Sequence, residues 1–427
     1  MLNSFFWILT GGMVARAIAQ LLFIDWYRRI LRQPDTVNLD SLDLNSTTAP
    51  DVAIVLCLRG PDPNLPDCLA GLMNQRYSNF SLHLVVDSDD DPVIPIAKSV
   101  LKTIDPSVSV HWRTVADHSS NCSLKCSSLM TTVTSLQSDQ SRPDIVAFVD
   151  ADALVDSDWL SRLVAPLIVP ASNVGATTGN RWFEPTETNL GSRFRAAWNA
   201  AALPQMQIYQ VAWGRSLAMR LETIQQCELL NRWSTAFCED TMLADVLRTH
   251  GLRVRRVPEL IVVNQESTTL KSALDWIGRQ LLTVRLYYRA WSLILLHALL
   301  GGFCFFAPLA LAVLTATTNP PVALWATLAW GVQLCFNIGL LEFIRTLNLN
   351  AIKKSIALPR KALGIFSKVV VAITLQAVYP FLAIRVAFRR LAHWGGIEYR
   401  IGTHGQIEMI DYVPYSQVSQ TDQHSIQ

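Results

Sequence analysis

The hydrophobic pattern of the 427-residue chain falls into three regimes. The first is an apolar stretch from about Leu2 to Ile24, long enough to cross a bilayer and interrupted by Arg16. Trp26 and Tyr27, then Arg28, Arg29 and Arg32, give it an aromatic belt and a basic flank. No basic segment precedes the apolar run, which argues against a cleaved leader. Residues 34–50 are polar with a proline at each end, the composition of a linker. In the second regime the apolar runs shorten. Val52–Leu58 is continuously apolar, as a strand buried on both faces should be. A turn with three prolines and a helical stretch lead to a second strand, Leu82–Asp87. Helical residues 92–103, a strand Val108–Trp112, a helix Asn121–Val133 and a strand Ile145–Val149 follow, the last running straight into Asp150. This alternation predicts a mostly parallel, right-handed α/β sheet, with ligands bound beyond the carboxyl ends of its strands.

The third regime is apolar again. Lys271–Trp291 reads as an amphipathic helix bearing Arg279, Arg285 and Arg289 among aromatics, suited to a membrane interface. Apolar spans are expected at about 292–317, 320–344 and 368–388, the first two joined by the turn Asn319-Pro320-Pro321. Lys353, Lys354, Arg360, Lys361 and Lys368 make a basic segment between the second and third. With the Arg28–Arg32 flank, these residues place the middle of the chain in the cytosol by the positive-inside rule. The expected division is residues 1–33 as a membrane helix with its basic flank, 34–50 a linker and 51–270 a catalytic α/β domain. Residues 271–291 form the interfacial helix, 292–390 the C-terminal spans with a basic cytosolic loop, and 391–427 a tail.

Composition agrees with a multi-pass membrane protein. Hydrophobic residues make up 50% and charged residues only 16%, against about 25% in an average soluble domain. A net charge of +2 without a basic patch excludes a nucleic-acid partner, and the basic residues lie beside apolar stretches, facing a membrane surface. The eight cysteines are scattered through predicted strands, helices and spans, so they read as free thiols. Cys122 and Cys126 lack a second ligand pair for zinc and read as structural.

Three acidic clusters carry the candidate chemistry. Asp87, Asp89, Asp90 and Asp91 follow the second strand, Asp150-Ala-Asp152 ends the fourth, and Glu239-Asp240 opens a helix. Taken singly, the first reads as a solvated turn and the last as a complement to a helix dipole. Together they suit transfer of a sugar from a nucleotide diphosphate. Two carboxylates one residue apart at a strand end, Asp150 and Asp152, suit Mg²⁺ or Mn²⁺, which neutralises the departing diphosphate. A second carboxylate takes the proton of the acceptor hydroxyl. An early carboxylate hydrogen-bonds the nucleobase or ribose.

At these residues the chain resembles the membrane-bound family 2 and family 21 glycosyltransferases, and especially ceramide glucosyltransferases and bacterial glycolipid-forming relatives. The resemblance covers about residues 50–400. VVDSDDDP (85–92) looks like the family's first aspartate motif, and Asp150 and Asp152 match the second. Asn121-Cys-Ser-Leu-Lys125-Cys-Ser-Ser128 resembles an N-x-K-x-x-N segment with Ser128 in place of the last Asn. GRSLAMR (214–220) is similar to the stretch before the catalytic helix, FCEDTMLADVLRTHG (237–251) to the E-D motif, and HWGGIEYRIG (393–402) to the tail motif. The resemblance implies a GT-A-like, Rossmann-type mixed sheet domain with transmembrane and interfacial helices. It implies an inverting hexosyltransferase using a divalent metal, a UDP-sugar donor and a lipid acceptor. Asp240 is then the base beside Glu239. Asp87, Asp89, Lys125, Asp150, Arg279 and Arg285 bind the nucleotide sugar, and Asp150 and Asp152 hold the metal. One departure stands out. The family's (Q/R)-x-x-R-W falls on Arg279-Gln280-Leu281-Leu282-Thr283, without the inner Arg and the Trp, and Arg285 is the nearest substitute cation. Two alternatives remain: a processive polysaccharide synthase of the cellulose or hyaluronan type, or an inactive relative serving as a binding protein. The few spans and missing Arg-Trp pair argue against the first, the intact Asp150, Asp152 and Asp240 against the second.

Overall fold

The computed structural model describes residues 2–32, 42–44, 46, 48–104, 108–115, 117–140, 142–169, 172–187, 189–352 and 364–418. A long helix α1 (Leu2–Leu31) precedes β1 (Val52–Leu58), α2 (Leu65–Met73), β2 (Phe80–Val86), α3 (Val93–Leu101), β3 (Ser109–Thr114), α4 (Leu124–Ser138) and β4 (Ile145–Val149). Next come α5 (Trp159–Ile168), β5 (Val174–Phe183), α6 (Leu190–Ile208), β6 (Ser216–Arg220), α7 (Leu221–Gln226), α8 (Leu229–Trp233), α9 (Leu243–Thr249) and β7 (Arg253–Asn264). The chain ends with α10 (Leu270–Tyr287), α11 (Trp291–Thr315), α12 (Pro320–Ala351), α13 (Ile365–Ala387), β8 (Leu391–Trp394), β9 (Ile397–Ile401) and β10 (Ile407–Asp411).

Seven strands form one sheet in the order β3-β2-β1-β4-β6-β5-β7. The first four are parallel, as the alternation predicts. The sheet as a whole is mixed, because β6 runs antiparallel to both β4 and β5, while β7 runs parallel to β5. Helices cover both faces. Along β1, Val52, Ile54, Leu56 and Leu58 pack in one layer with α2 and α5, whereas Ala53 and Val55 pack in the other with α4. Continuous apolarity in β1 is therefore the signature of two buried faces.

Hydropathy gave no warning of β5, β6 and β7. Every residue of β5 is buried, yet the strand contains Gly175, Thr177, Thr178, Gly179, Asn180 and Arg181. Its polar groups find partners: the Thr177 hydroxyl donates to the Leu163 carbonyl at 2.6 Å. In β7, Arg256 donates to the Val211 carbonyl at 2.7 Å. Tertiary hydrogen bonds thus override the pattern.

Four helices are long and apolar enough to cross a membrane: Phe6–Leu31 of α1, and α11, α12 and α13. Helix α12 continues seven residues past the expected end at 344, to Ala351. There the buried Tyr27 hydroxyl donates to Asn348 Oδ1 at 3.0 Å and ties α12 to α1. Deeper in the bundle Arg16 donates to the Gly301 carbonyl at 3.1 Å and to Gln376 Oε1 at 3.5 Å, joining α1, α11 and α13. The basic residues Lys353, Lys354, Arg360 and Lys361 lie outside the described residues, as do residues 34–41. All eight cysteines are free, and Cys122 and Cys126 are buried in the core.

The tail is not loose. β8, β9 and β10 form a three-stranded antiparallel sheet that packs on the start of α4. The Leu124 amide donates to the Tyr399 hydroxyl at 3.3 Å, and the Met409 amide to the Ser120 carbonyl at 2.6 Å. The segment after α13 is thereby carried back to the carboxyl ends of the parallel strands.

Candidate active site

Each acidic cluster reaches the same edge of the sheet because each follows a strand or abuts a strand end. Asp150 leaves β4 and is held by two cations: Lys125 Nζ lies 2.8 Å from Oδ1, and Arg215 Nε 2.9 Å from Oδ2. Asp152 pairs with the other end of the Arg215 guanidinium and accepts from Asn264 Nδ2 at 2.6 Å. Lys125, in the first turn of α4, also pairs with Glu239 at 2.7 Å. The N-cap Ser123, which accepts from the Cys126 amide, fixes that turn. Burial would drive Lys125 towards its neutral form, but the carboxylates of Asp150 and Glu239 outweigh it and hold it well above the usual lysine range. Asp150 is likewise pulled down to about 2 against its own burial, chiefly by Lys125 and Arg215. Burial pushes Glu239 up, against the attraction of Lys125 and with the help of Asp240.

Asp240 is held differently. Its Oδ2 accepts from the Gly214 amide at 2.9 Å and its Oδ1 from the Thr241 hydroxyl at 3.0 Å. Gly214 is required for this approach, since a Cβ there would lie 2.0 Å from Glu239 Oε1. Asp240 therefore has a neutral, fixed seat, with no ion pair among the described residues.

Asp87 sits at the end of β2, buried, paired with Arg59 and accepting from the Tyr412 hydroxyl at 2.8 Å. Its Oδ1 is buried and has no partner. Arg59 also donates to the carbonyls of Gly395 at 2.7 Å and Val413 at 2.6 Å, so the tail builds one wall of this pocket. Asp89 is exposed and accepts from the Thr114 hydroxyl at 2.5 Å. Asp91 is structural: it accepts from the amides of Gly60 and Val93 and ties the β1–α2 turn to the start of α3.

Arg279 lines the central cavity, over the ring of Trp394. Arg285 does not reach that cavity. Its guanidinium donates to the carbonyls of Val386, Ala387 and Arg389, closing the C-terminus of α13. This placement argues against Arg285 as a diphosphate cation, because those carbonyls already occupy the side chain. Arg285→Ala is expected to cost about 1 kcal/mol of stability through the α13 terminus while leaving nucleotide affinity unchanged. Thermal unfolding and a binding isotherm read the two effects separately, and a large loss of nucleotide affinity would return Arg285 to that role.

Several residues at the site escaped the sequence reading. Arg215 lies inside the GRSLAMR stretch, at a position where the motif is silent. Arg59 and Tyr412 are brought to Asp87 from either side of the chain, 353 residues apart by number, and no local signal links them. Arg181 belongs to β5, the strand hydropathy missed. It is buried, with its guanidinium 4.8, 4.5 and 4.9 Å from the ring centres of Phe183, Trp213 and Trp276. Burial lowers its pKa to about 9.

A cavity of about 480 Å³ takes in part of this set, while Asp87, Asp150 and Asp152 do not line it. At one end lie Lys125, Arg181, Arg215, Glu239, Asp240 and Arg279. At the other, between the apolar helices, lie Arg16, Gln20, His297, Asn337, Gln376 and Tyr379. Among the described residues no group of three or more His, Cys, Asp or Glu side chains converges as a closed metal cage. Asp150 and Asp152 nevertheless share a single cationic partner, Arg215, so both carboxylates address one position. Two hard oxygen donors one residue apart fit the chemistry of a divalent ion whose remaining ligands are phosphate oxygens and water, and such an ion would share them with Arg215.

This cavity, lined by Glu239 and Asp240 among several cations at the strand ends of a mixed α/β sheet and continuing between apolar helices, is the candidate active site. The chain belongs to glycosyl transferase family 21, whose family model matches residues 14–407. Among solved structures it is similar to a mannosyltransferase from Pyrobaculum calidifontis in complex with GDP-Man and Mn²⁺. The identity is 17%, the match covers 91% of this chain and 99% of that one, and the TM-score is 0.49. It is also similar to glucosyl-3-phosphoglycerate synthase from Mycobacterium tuberculosis in complex with Mn²⁺ and UDP-glucose. There the identity is 12%, coverage 57% of this chain and 82% of that one, and the TM-score 0.33. No curated protein matches the chain.

Proposed function

We propose that this family 21 glycosyltransferase moves a hexose from a nucleotide sugar, with a UDP-sugar as the expected donor, to a hydroxyl of a membrane lipid. The product is a glycolipid with inverted configuration at the anomeric carbon. The observation that carries this reading is the single cavity connecting Asp240 to the interior of the apolar bundle. A lipid enters that space with its chain between helices and its headgroup hydroxyl towards Asp240. Asp240 takes the hydroxyl proton, the oxygen bonds to the anomeric carbon, and the bond to the diphosphate breaks with its electron pair leaving on the diphosphate. Lys125, fixed by Asp150 and Glu239, lies on the diphosphate side, and Glu239 positions it. Asp87 and Asp89 face the nucleoside, where the unpartnered Asp87 Oδ1 accepts an N–H or O–H. Asp150 and Asp152 hold the divalent ion, Mg²⁺ or Mn²⁺, which when bound supplies charge neutralisation at the diphosphate.

We assign residues 51–270 to the catalytic domain, on the cytosolic side, and 292–390 to the spans, with α10 lying in the interface between them. The basic flank Arg28, Arg29 and Arg32 supports this orientation. In this reading the 318–321 turn faces the opposite side of the membrane. A processive synthase needs a polar path through many spans, whereas the four apolar helices here are few and the bundle end of the cavity carries only a few polar groups, Arg16 and Gln376 among them. The test is to incubate the purified protein with labelled nucleotide sugar and mixed lipids, then partition the products. Label in an organic-extractable glycolipid is the expected result. High-molecular-weight, glycosidase-sensitive material would overturn the reading.

A further inference from the structure

Five cations line the cavity where it meets the strand ends or enters the bundle, and their neutralisation is uneven. Lys125 and Arg215 are balanced by Asp150, Asp152 and Glu239. Arg181 and Arg279 form no ion pair with any carboxylate among the described residues, and neither does Arg16, which instead bonds neutral groups deep in the bundle. Arg181 is the more demanding case, because only 2% of it is exposed. The rings of Phe183, Trp213 and Trp276 stabilise its charge through their faces, but they leave its in-plane donors unsatisfied. Its Nε and one terminal nitrogen have no hydrogen-bond partner. The neighbouring Arg195, also on Phe183, shows what a purely structural arginine does here: it pairs with Glu266 at 2.9 Å. A buried guanidinium with unused donors is costly unless an anion completes it.

The position of Arg181 says which anion. It lines both the large cavity and a narrow pocket shared with Asp152, Arg215 and Asn264, so it stands between the paired carboxylates and Asp240. Arg279 lies on the same cavity, over Trp394 and likewise without a carboxylate. We propose that Arg181, fixed in its aromatic cage, adds a guanidinium to the site of the donor's leaving diphosphate and so completes a clamp with Arg279, a residue already assigned to the nucleotide sugar by the sequence motif. This rests on the donor reading above. As the bond between the anomeric carbon and the diphosphate oxygen breaks, its electron pair stays on the diphosphate, and the clamp faces the charge that appears there. The planar donor fork of arginine matches phosphate oxygens, and the cage holds it in place before the donor arrives.

The experiment measures binding of UDP, GDP and UMP, with Mn²⁺, to the detergent-solubilised full chain and to Arg181→Gln and Arg181→Lys variants. Loss of one charge-assisted contact is expected to weaken UDP or GDP binding about 10- to 100-fold in Arg181→Gln. UMP, lacking the second phosphate, should lose much less. Arg181→Lys should fall between, since the ammonium keeps the charge without the fork, and its unfolding temperature reports whether the cage survives. Folded variants that bind UDP and GDP as the parent does would overturn the clamp alone. Unchanged diphosphate binding with a raised KM for the lipid would also overturn it, and would move the anion to the acceptor. A parent protein that binds neither nucleoside diphosphate would overturn the donor reading and the clamp with it.

Discussion

Asp240→Asn is expected to keep nucleotide-sugar affinity and to lower turnover by about 10²- to 10⁴-fold, the range of general base catalysis. The seat of Asp240 makes this a clean substitution. The Asn oxygen can still accept from the Gly214 amide, and the Thr241 hydroxyl can turn to accept from the new amide nitrogen. No ion pair is broken among the described residues, so the fold loses little. Glu239→Gln is a different experiment, because Glu239 is one of two carboxylates that hold Lys125. The neighbours in the E-D pair thus separate by consequence: one variant loses the proton acceptor, the other disturbs the cation on the diphosphate side. A binding isotherm together with single-turnover kinetics distinguishes them. Normal turnover in Asp240→Asn would remove Asp240 from the role of base.

The second large effect is metal dependence. Excess chelator is expected to abolish turnover, and Mg²⁺ or Mn²⁺ to restore it. Asp152→Ala should lower turnover by roughly 10³-fold or more, since electrostatic stabilisation by a divalent ion is typically worth several kcal/mol. The structure adds a detail to the expected behaviour. Arg215 bridges Asp150 and Asp152, so ion and guanidinium address the same carboxylates. Asp152→Ala leaves Arg215 with Asp150 only and removes an acceptor from Asn264. The fold should persist, because Asp150 keeps Lys125. Circular dichroism checks the fold, and full activity in excess chelator would sink the metal assignment.

What was legible in the sequence follows from the physics of each element. The parallel strands β1, β2 and β4 are buried on both faces, so they read directly as apolar runs, and the acidic clusters at their ends stood out against them. The four long apolar helices among the described residues were legible for the same reason, with boundaries shifted where a polar residue such as Asn348 extends α12 by a buried hydrogen bond. The lost strands are those whose burial is satisfied by hydrogen bonds instead of apolar area. In β5, Thr177 and Arg181 are inside the protein, and no periodicity announces a buried arginine. The placement of Arg285 was hidden on a related ground. Spacing along α10 fixes its distance from Arg279, but which partner takes the guanidinium depends on where α13 ends. The pocket around Asp87 was half legible. The aspartate was visible, whereas Arg59 meets it through the parallel register of β1 and β2, with Leu58 opposite Val86, and Tyr412 only because the tail sheet folds back across the domain.

That return of the tail has a bearing on how the protein is made. Arg59 and Asp87 emerge from the ribosome early, but Gly395, Tyr412 and Val413, which close their pocket, are among the last described residues of the chain. Three of the four apolar helices, α11, α12 and α13, lie between. If the apolar helices enter a bilayer as proposed, the wall of the pocket is completed only after α13 has been inserted and the segment that follows it has folded back. A nascent chain stalled during insertion holds the acidic residues but lacks that wall, so completion of the Asp87 pocket is tied to completion of membrane integration.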